Sequence, residues 1–126
     1  MKIINTNKAV EPAGHYSQAI VYGGVVYAAG VLGKDPENPE ADPGDARQQT
    51  RLALANLSAV LEEAGSDLNH VIRMTVYVSG IEHWGAVNEA YAEVMGSHKP
   101  ARAIVPVQKF VEPYVVEIVA TAALGG

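Results

Sequence analysis

The chain has 126 residues, which fits one compact domain over residues 1–126 and leaves little room for a second. Hydrophobic residues make up 48% of it, ample for a core, and the net charge of −5 argues against nucleic acid as a main partner, which needs a basic face. With no cysteine, the chain has no disulfide, no thiolate nucleophile and no cysteine-based metal site.

The opening MKIINTNKAV is a short apolar piece followed by polar residues. It lacks the apolar core and small-residue cleavage site of a signal peptide. No apolar run approaches the ~18 residues of a membrane helix. The expectation is a soluble, cytoplasmic protein without a membrane partner.

QAIVYGGVVYAAGVL reads as two strands joined by Gly23-Gly24, a pair suited to the positive φ of a hairpin turn. GKDPENPEADPGD is rich in proline and carboxylate and reads as a solvated loop. At its end, Asp42 is a candidate helix cap, Pro43 suits a first helical position, and Asp45 places negative charge at the positive end of the dipole. The helix should run to about Ala64, because Leu54, Leu57 and Leu61 recur at helical spacing with Ala53 and Val60, and Gly65 suits the C′ position.

HVIRMTVYVSG alternates, with Ile72, Met74, Val76 and Val78 on one face and Arg73, Thr75, Tyr77 and Ser79 on the other, as in a half-buried strand. EHWGAVNEAYAEVMGS predicts a second helix with Trp84, Val87, Tyr91 and Val94 or Met95 inward. ARAIVPV and YVVEIVATAAL are two further strands. The order β-β-α-β-α-β-β predicts an α+β fold with both helices on one face of a sheet. Strands this apolar want both faces buried, and one small domain cannot cover the second, so self-association with closed symmetry is expected.

Four polar residues stand out from this pattern. Arg102 sits at the mouth of an apolar strand, either as an exposed strand end or as the holder of an anionic ligand. Glu117 interrupts an apolar strand, where a carboxylate is costly unless it faces solvent, is paired, or is positioned to take a proton from water. Tyr16 precedes the hairpin and Asn88 lies within the second helix; taken alone, each is equally compatible with packing. The four histidines have no metal-ligand spacing, no serine lies in a nucleophile elbow, and the glycines form neither a P-loop nor a dinucleotide fingerprint.

PAGHYSQAI, NEAY, KPAR and VEIVATA, in this order around the Gly-Gly hairpin, resemble the Rid (YjgF) family of reactive-intermediate deaminases, over about residues 10 to 123. The resemblance implies a chorismate-mutase-like mixed sheet backed by two helices and a homotrimer with clefts at subunit interfaces. It implies cofactor-free hydrolysis of 2-imino and enamine acids to 2-keto acids and ammonia. By this resemblance Arg102 clamps the substrate carboxylate, Glu117 activates water, Tyr16 lines the cleft, Gly30 faces the ligand through its backbone, and Asn88 belongs to the second-helix motif. A guanidinium suits the clamp because it donates two parallel hydrogen bonds to a planar carboxylate.

Departures from the family pattern fall at Ala29-Gly30-Val31, where members often carry Ser-Gly-Gln, at Ile104, where many carry Cys, and at Phe110-Val111 in place of Leu-Pro. Ala29, Val31 and Ile104 are therefore expected to make a more apolar substrate cleft. Three readings remain open: a deaminase of small 2-imino acids, a pathway-specific deaminase of another aminated catabolite, or a non-catalytic protein that binds a carboxylate metabolite. A ribonuclease role is disfavoured by the acidic charge.

Overall fold

The computed structural model describes residues 1–125. Its sheet has seven strands: β1 (Lys2–Ile4), β2 (Ala19–Tyr22), β3 (Val25–Ala28), β4 (Val31–Leu32), β5 (Val71–Val78), β6 (Ala101–Pro106) and β7 (Val116–Ala123). Two helices, α1 (Ala46–Glu63) and α2 (Trp84–Met95), lie before β5 and between β5 and β6. The spatial order is β1-β2-β3-β7-β5-β6, with β4 also paired to β7. Among the described strands only β5 and β6 run parallel, and α2 supplies the crossover that parallel neighbours need.

The hairpin forms as expected: Tyr22 faces Val25 across Gly23 (φ 59°) and Gly24 (φ 79°). The short β1 adds a strand in front of the predicted order. It pairs with β2, burying Ile4 while Ile3 stays exposed. The second hairpin strand is divided: β3 pairs with residues 121 to 123 of β7 and β4 with residues 117 and 118. Ala29 and Gly30 make the break between them.

α1 begins three residues later than the sequence suggested. Asp45, not Asp42, is the cap, accepting from the Gln48 amide (2.9 Å) while the Gln48 side chain accepts from the Asp45 amide (2.8 Å). Asp42 instead accepts from the Gly44 amide (2.8 Å) in the preceding turn. Reciprocal capping satisfies two orphan amides at once, which the single acceptor of Asp42 does not match. At the far end Gly65 takes the left-handed conformation (φ 87°) where the sequence placed it.

The core lies between the helices and one face of the sheet. Leu54, Leu57 and Leu61 of α1 and Val87 and Tyr91 of α2 pack with Met74, Val76, Val78 and Ile118. β5 corrects one expectation: Ile72 is exposed and Val71 is buried, because the register with β7 shifts between Val71 and Arg73. Such an irregularity inverts the inward and outward alternation on one side of it. On α2, Met95 rather than Val94 turns inward, and Trp84 at the start of the helix is partly exposed. Arg47–Glu89 and Arg51–Glu93 (3.2 Å) bridge the two helices at the surface.

The opposite face of the sheet carries Ile3, Ile20, Tyr27 and Thr121 in one cross-strand row and Tyr22, Val25 and Ala123 in the next. Ile3 is 67%, Tyr22 65% and Tyr27 51% exposed. This is the second apolar face that the sequence pattern anticipated. Among the described residues no helix is long and apolar enough to cross a membrane.

Candidate functional site

The break between β3 and β4 creates a cleft. Ala29 still donates to the Gln18 carbonyl (2.9 Å), so the chain leaves the ladder only at Gly30. A Cβ at Gly30 would stand 2.9 Å from Cδ of Glu117 and 3.1 Å from its Oε1. The missing side chain is what lets the Glu117 carboxyl lie against this backbone. Glu117 is half-buried, on the face of β7 away from the helical core, between Leu32 and Tyr77.

Buried polar side chains hold the cleft walls. Gln18 accepts from the Thr6 amide (2.7 Å) and donates to the carbonyls of Thr6 (3.1 Å) and Val10 (3.0 Å), folding the N-terminal segment over the opening. Asn56 of α1 donates to the carbonyls of Leu32 (3.2 Å) and Lys34 (2.7 Å), fixing the opposite wall. The resulting cavity, about 120 Å³, is lined by Tyr16, Ala29, Gly30, Val31 and Glu117, with Lys34 at its side. The Lys34 ammonium stands 5.4 Å from the centre of the Tyr114 ring. Five of the residues singled out in the sequence therefore meet in one cavity.

Arg102 is elsewhere. β5 separates β6 from β7, so the two polar strand residues do not lie on neighbouring strands. Arg102 pairs with Met74, whose side chain is in the core, whereas Glu117 pairs with Tyr77 on the other face. Two strand spacings put them roughly 10 Å apart across the sheet, and the three-residue offset adds roughly 10 Å along it. Ile104 is also outside the cleft: it pairs with Val76 and packs against the core of its own chain.

Asn88 belongs with Arg102. Its Oδ1 accepts from Nη1 of Arg102 at 2.8 Å. The guanidinium also lies over the Tyr91 ring, with Cζ 4.8 Å from the centroid. Among the described residues, the ion pairs formed by basic side chains involve Arg47, Arg51, Lys109, His70 and His83, not Arg102. Gln18, Lys34 and Asn56 escaped the sequence reading because nothing local distinguishes them from surface polar residues; Tyr91 was read only as packing.

One chain therefore carries a cleft with a carboxylate and a phenol and, on the far side of the sheet, a guanidinium in no ion pair among the described residues. The family model for Endoribonuclease L-PSP matches residues 6–124. A RutC family protein of Pyrococcus abyssi is 40% identical over 96% of this chain and 95% of its own length. The 2-iminobutanoate/2-iminopropanoate deaminase of Rattus norvegicus is 36% identical over 98% of this chain and 90% of its own. The crystal structure of RidA from an Antarctic Psychrobacter superposes with a TM-score of 0.92 at 34% identity, covering 98% of this chain and all (100%) of that one. That of E. coli TdcF with bound serine gives 0.92 at 30% identity, covering 99% and 100%. The chain belongs to the Rid (YjgF) family, with the mixed α+β sheet and two helices of its relatives.

Proposed function

We propose that this protein is a cofactor-independent hydrolase of reactive 2-imino and enamine acids, releasing 2-keto acids and ammonia, and that it works as a homotrimer. The observation that carries the reading is the separation of Arg102 from the Glu117 cleft. A carboxylate clamp and a water base serve one small substrate only if they meet, and a second copy brings them together. Arg102 of one chain then faces Tyr16, Gly30 and Glu117 of the next. The apolar sheet face bearing Ile3, Tyr22 and Tyr27 supplies the surface on which the copies pack. The deaminase name of the rat relative and the serine bound to TdcF, an amino acid with a carboxylate, support this reading.

The chemistry follows from the parts. Arg102 takes the substrate carboxylate through two parallel N–H donors. Glu117 accepts a proton from water as the water oxygen bonds to the iminium carbon, giving a carbinolamine. Glu117 returns that proton to nitrogen and then takes the hydroxyl proton as the C–N bond breaks, so the carbonyl forms and the departing ammonia carries the proton away as ammonium. The Tyr16 hydroxyl, at the cleft rim, is placed to donate to the developing oxygen or to water. Holding substrate and water together removes the entropic cost of their encounter.

A different aminated substrate is the second reading. Ala29 and Val31 give the cleft apolar walls, and Lys34 adds a cation at its side. The charge of −5 disfavours the RNA substrate that the family model's description names. The test is hydrolysis of 2-iminopropionate and 2-iminobutyrate, generated in place by an amino-acid oxidase. Acceleration over buffer supports the reading. Assembled protein that leaves both imines to decay at the buffer rate overturns it.

A further inference from the structure

We propose that Tyr91 is a positioning residue for the ligand-binding guanidinium: its ring and the Asn88 amide form a two-point bracket that holds Arg102 in the orientation its carboxylate ligand needs. The proposal rests on the reading of Arg102 as a carboxylate clamp.

Arg102 stands on β6, the edge strand, and its side chain is exposed. An unrestrained arginine there would sample many rotamers, and fixing one on binding costs side-chain entropy. Two residues one turn apart on α2 remove that freedom in advance. The Tyr91 ring lies 4.8 Å from the guanidinium carbon and fixes the plane of the group. Asn88 accepts from Nη1 at 2.8 Å and fixes its rotation within that plane. Because arginine only donates, Asn88 must turn its oxygen, not its nitrogen, toward Arg102. The remaining N–H donors are left for a ligand.

Neither member of the bracket is charged. An aspartate or glutamate in their place would hold Arg102 as firmly but would neutralise it. The ring and amide orient the cation and leave its charge to the ligand. Tyr91 itself is 6% exposed, so the ring is held by the packing around it. Its hydroxyl is buried without a hydrogen-bond partner, which assigns the role to the ring and not to the oxygen. Burial also pushes the phenol above its ordinary range, against the pull of Arg102, so it stays neutral beneath the guanidinium.

The test compares Tyr91→Phe, which keeps a π face, with Tyr91→Leu and Tyr91→Met, which do not. The readouts are the Arg102 Nε–H resonance, KM and kcat for 2-iminopropionate, and pyruvate affinity, on variants checked for melting temperature and assembly. In the wild type and Tyr91→Phe, the aromatic ring current should shift the Arg102 resonance upfield. In Leu and Met the shift should vanish, with KM and the pyruvate Kd rising about tenfold and kcat changing less. Tyr91→Phe should restore both constants to near wild type. An Arg102 resonance or KM unaltered by Leu and Met overturns the bracket. A Phe variant as impaired as Leu would move the role to the hydroxyl and also overturn it. Wild-type protein that binds pyruvate without turnover would defeat the deaminase reading alone, and the Kd series would still decide for or against the bracket. Protein that neither binds pyruvate nor turns over imine overturns both.

Discussion

Arg102 and Glu117 lie on opposite faces of one sheet, with β5 between the strands that carry them. The guanidinium donates to Asn88 and forms no ion pair among the described residues, and the carboxyl rests on bare backbone at Gly30. Neither can serve a small ligand held by the other within one chain. In the proposed trimer a second copy supplies the missing partner.

Glu117 is the proposed water base, so Glu117→Gln, which keeps shape and removes basicity, should lower kcat by about 10²- to 10⁴-fold. KM should change little, because Arg102 still holds the carboxylate. Steady-state kinetics on 2-iminopropionate separate the two constants. A variant that keeps its kcat would show that Glu117 is not the water base.

Gly30→Ala puts a methyl group within 2.9 Å of the Glu117 carboxyl carbon. The carboxyl must swing away, and a displacement of about 1 Å can cost roughly 100-fold in rate. The melting temperature should fall far less than the activity, since Glu117 can move toward the open cleft. Equal losses of stability and rate would assign Gly30 to folding instead.

Much of this was legible in the sequence because periodicity and turn chemistry report local structure. The Gly-Gly hairpin, the leucine stripe of α1 and the Gly65 stop are all local signals, and each formed where it was read. The cap of α1 was misplaced because two aspartates compete there, and only Gln48 downstream of Asp45 completes a capping box. Ile72 was placed inward because a bulge leaves no mark on a regular alternation. The site was legible as residues but not as geometry. Tyr16, Gly30 and Glu117 do share a cleft, yet strand order is non-local, and the insertion of β5 between β6 and β7 cannot be read from Arg102 or Glu117.

Gln49 should prove a stability residue although it is polar. It is 1% exposed, donates to the carbonyls of Gly44 (2.9 Å) and Pro113 (3.0 Å), and accepts from the Val115 amide (2.9 Å). Gln49→Leu would leave these backbone groups without partners and cost about 2–4 kcal/mol in urea unfolding. An unchanged urea midpoint would show that they find other partners.

Tyr91→Phe carries a separate expectation in alkali. Burial raises the Tyr91 phenol in the folded chain, and a group so raised supports the fold fully below its unfolded value of about 10. That support is lost as pH rises through the folded value, because the unfolded chain releases its proton first. Urea midpoints of Tyr91→Phe should therefore decline less steeply than wild type above pH ~10. At neutral pH they should be equal or higher, since the buried hydroxyl has no partner to lose. Parallel alkaline slopes would contradict the assignment.

The most direct measurement is complementation between two inactive variants. Arg102→Ala keeps the Glu117 cleft, and Glu117→Gln keeps the arginine. Each should be nearly inactive alone on 2-iminopropionate. In trimers co-assembled at equal ratio, about a quarter of the interfaces should join an intact Arg102 to an intact Glu117, restoring about a quarter of wild-type activity. Mixed trimers, verified by two different tags, that remain as inactive as their parents would contradict a site shared between chains.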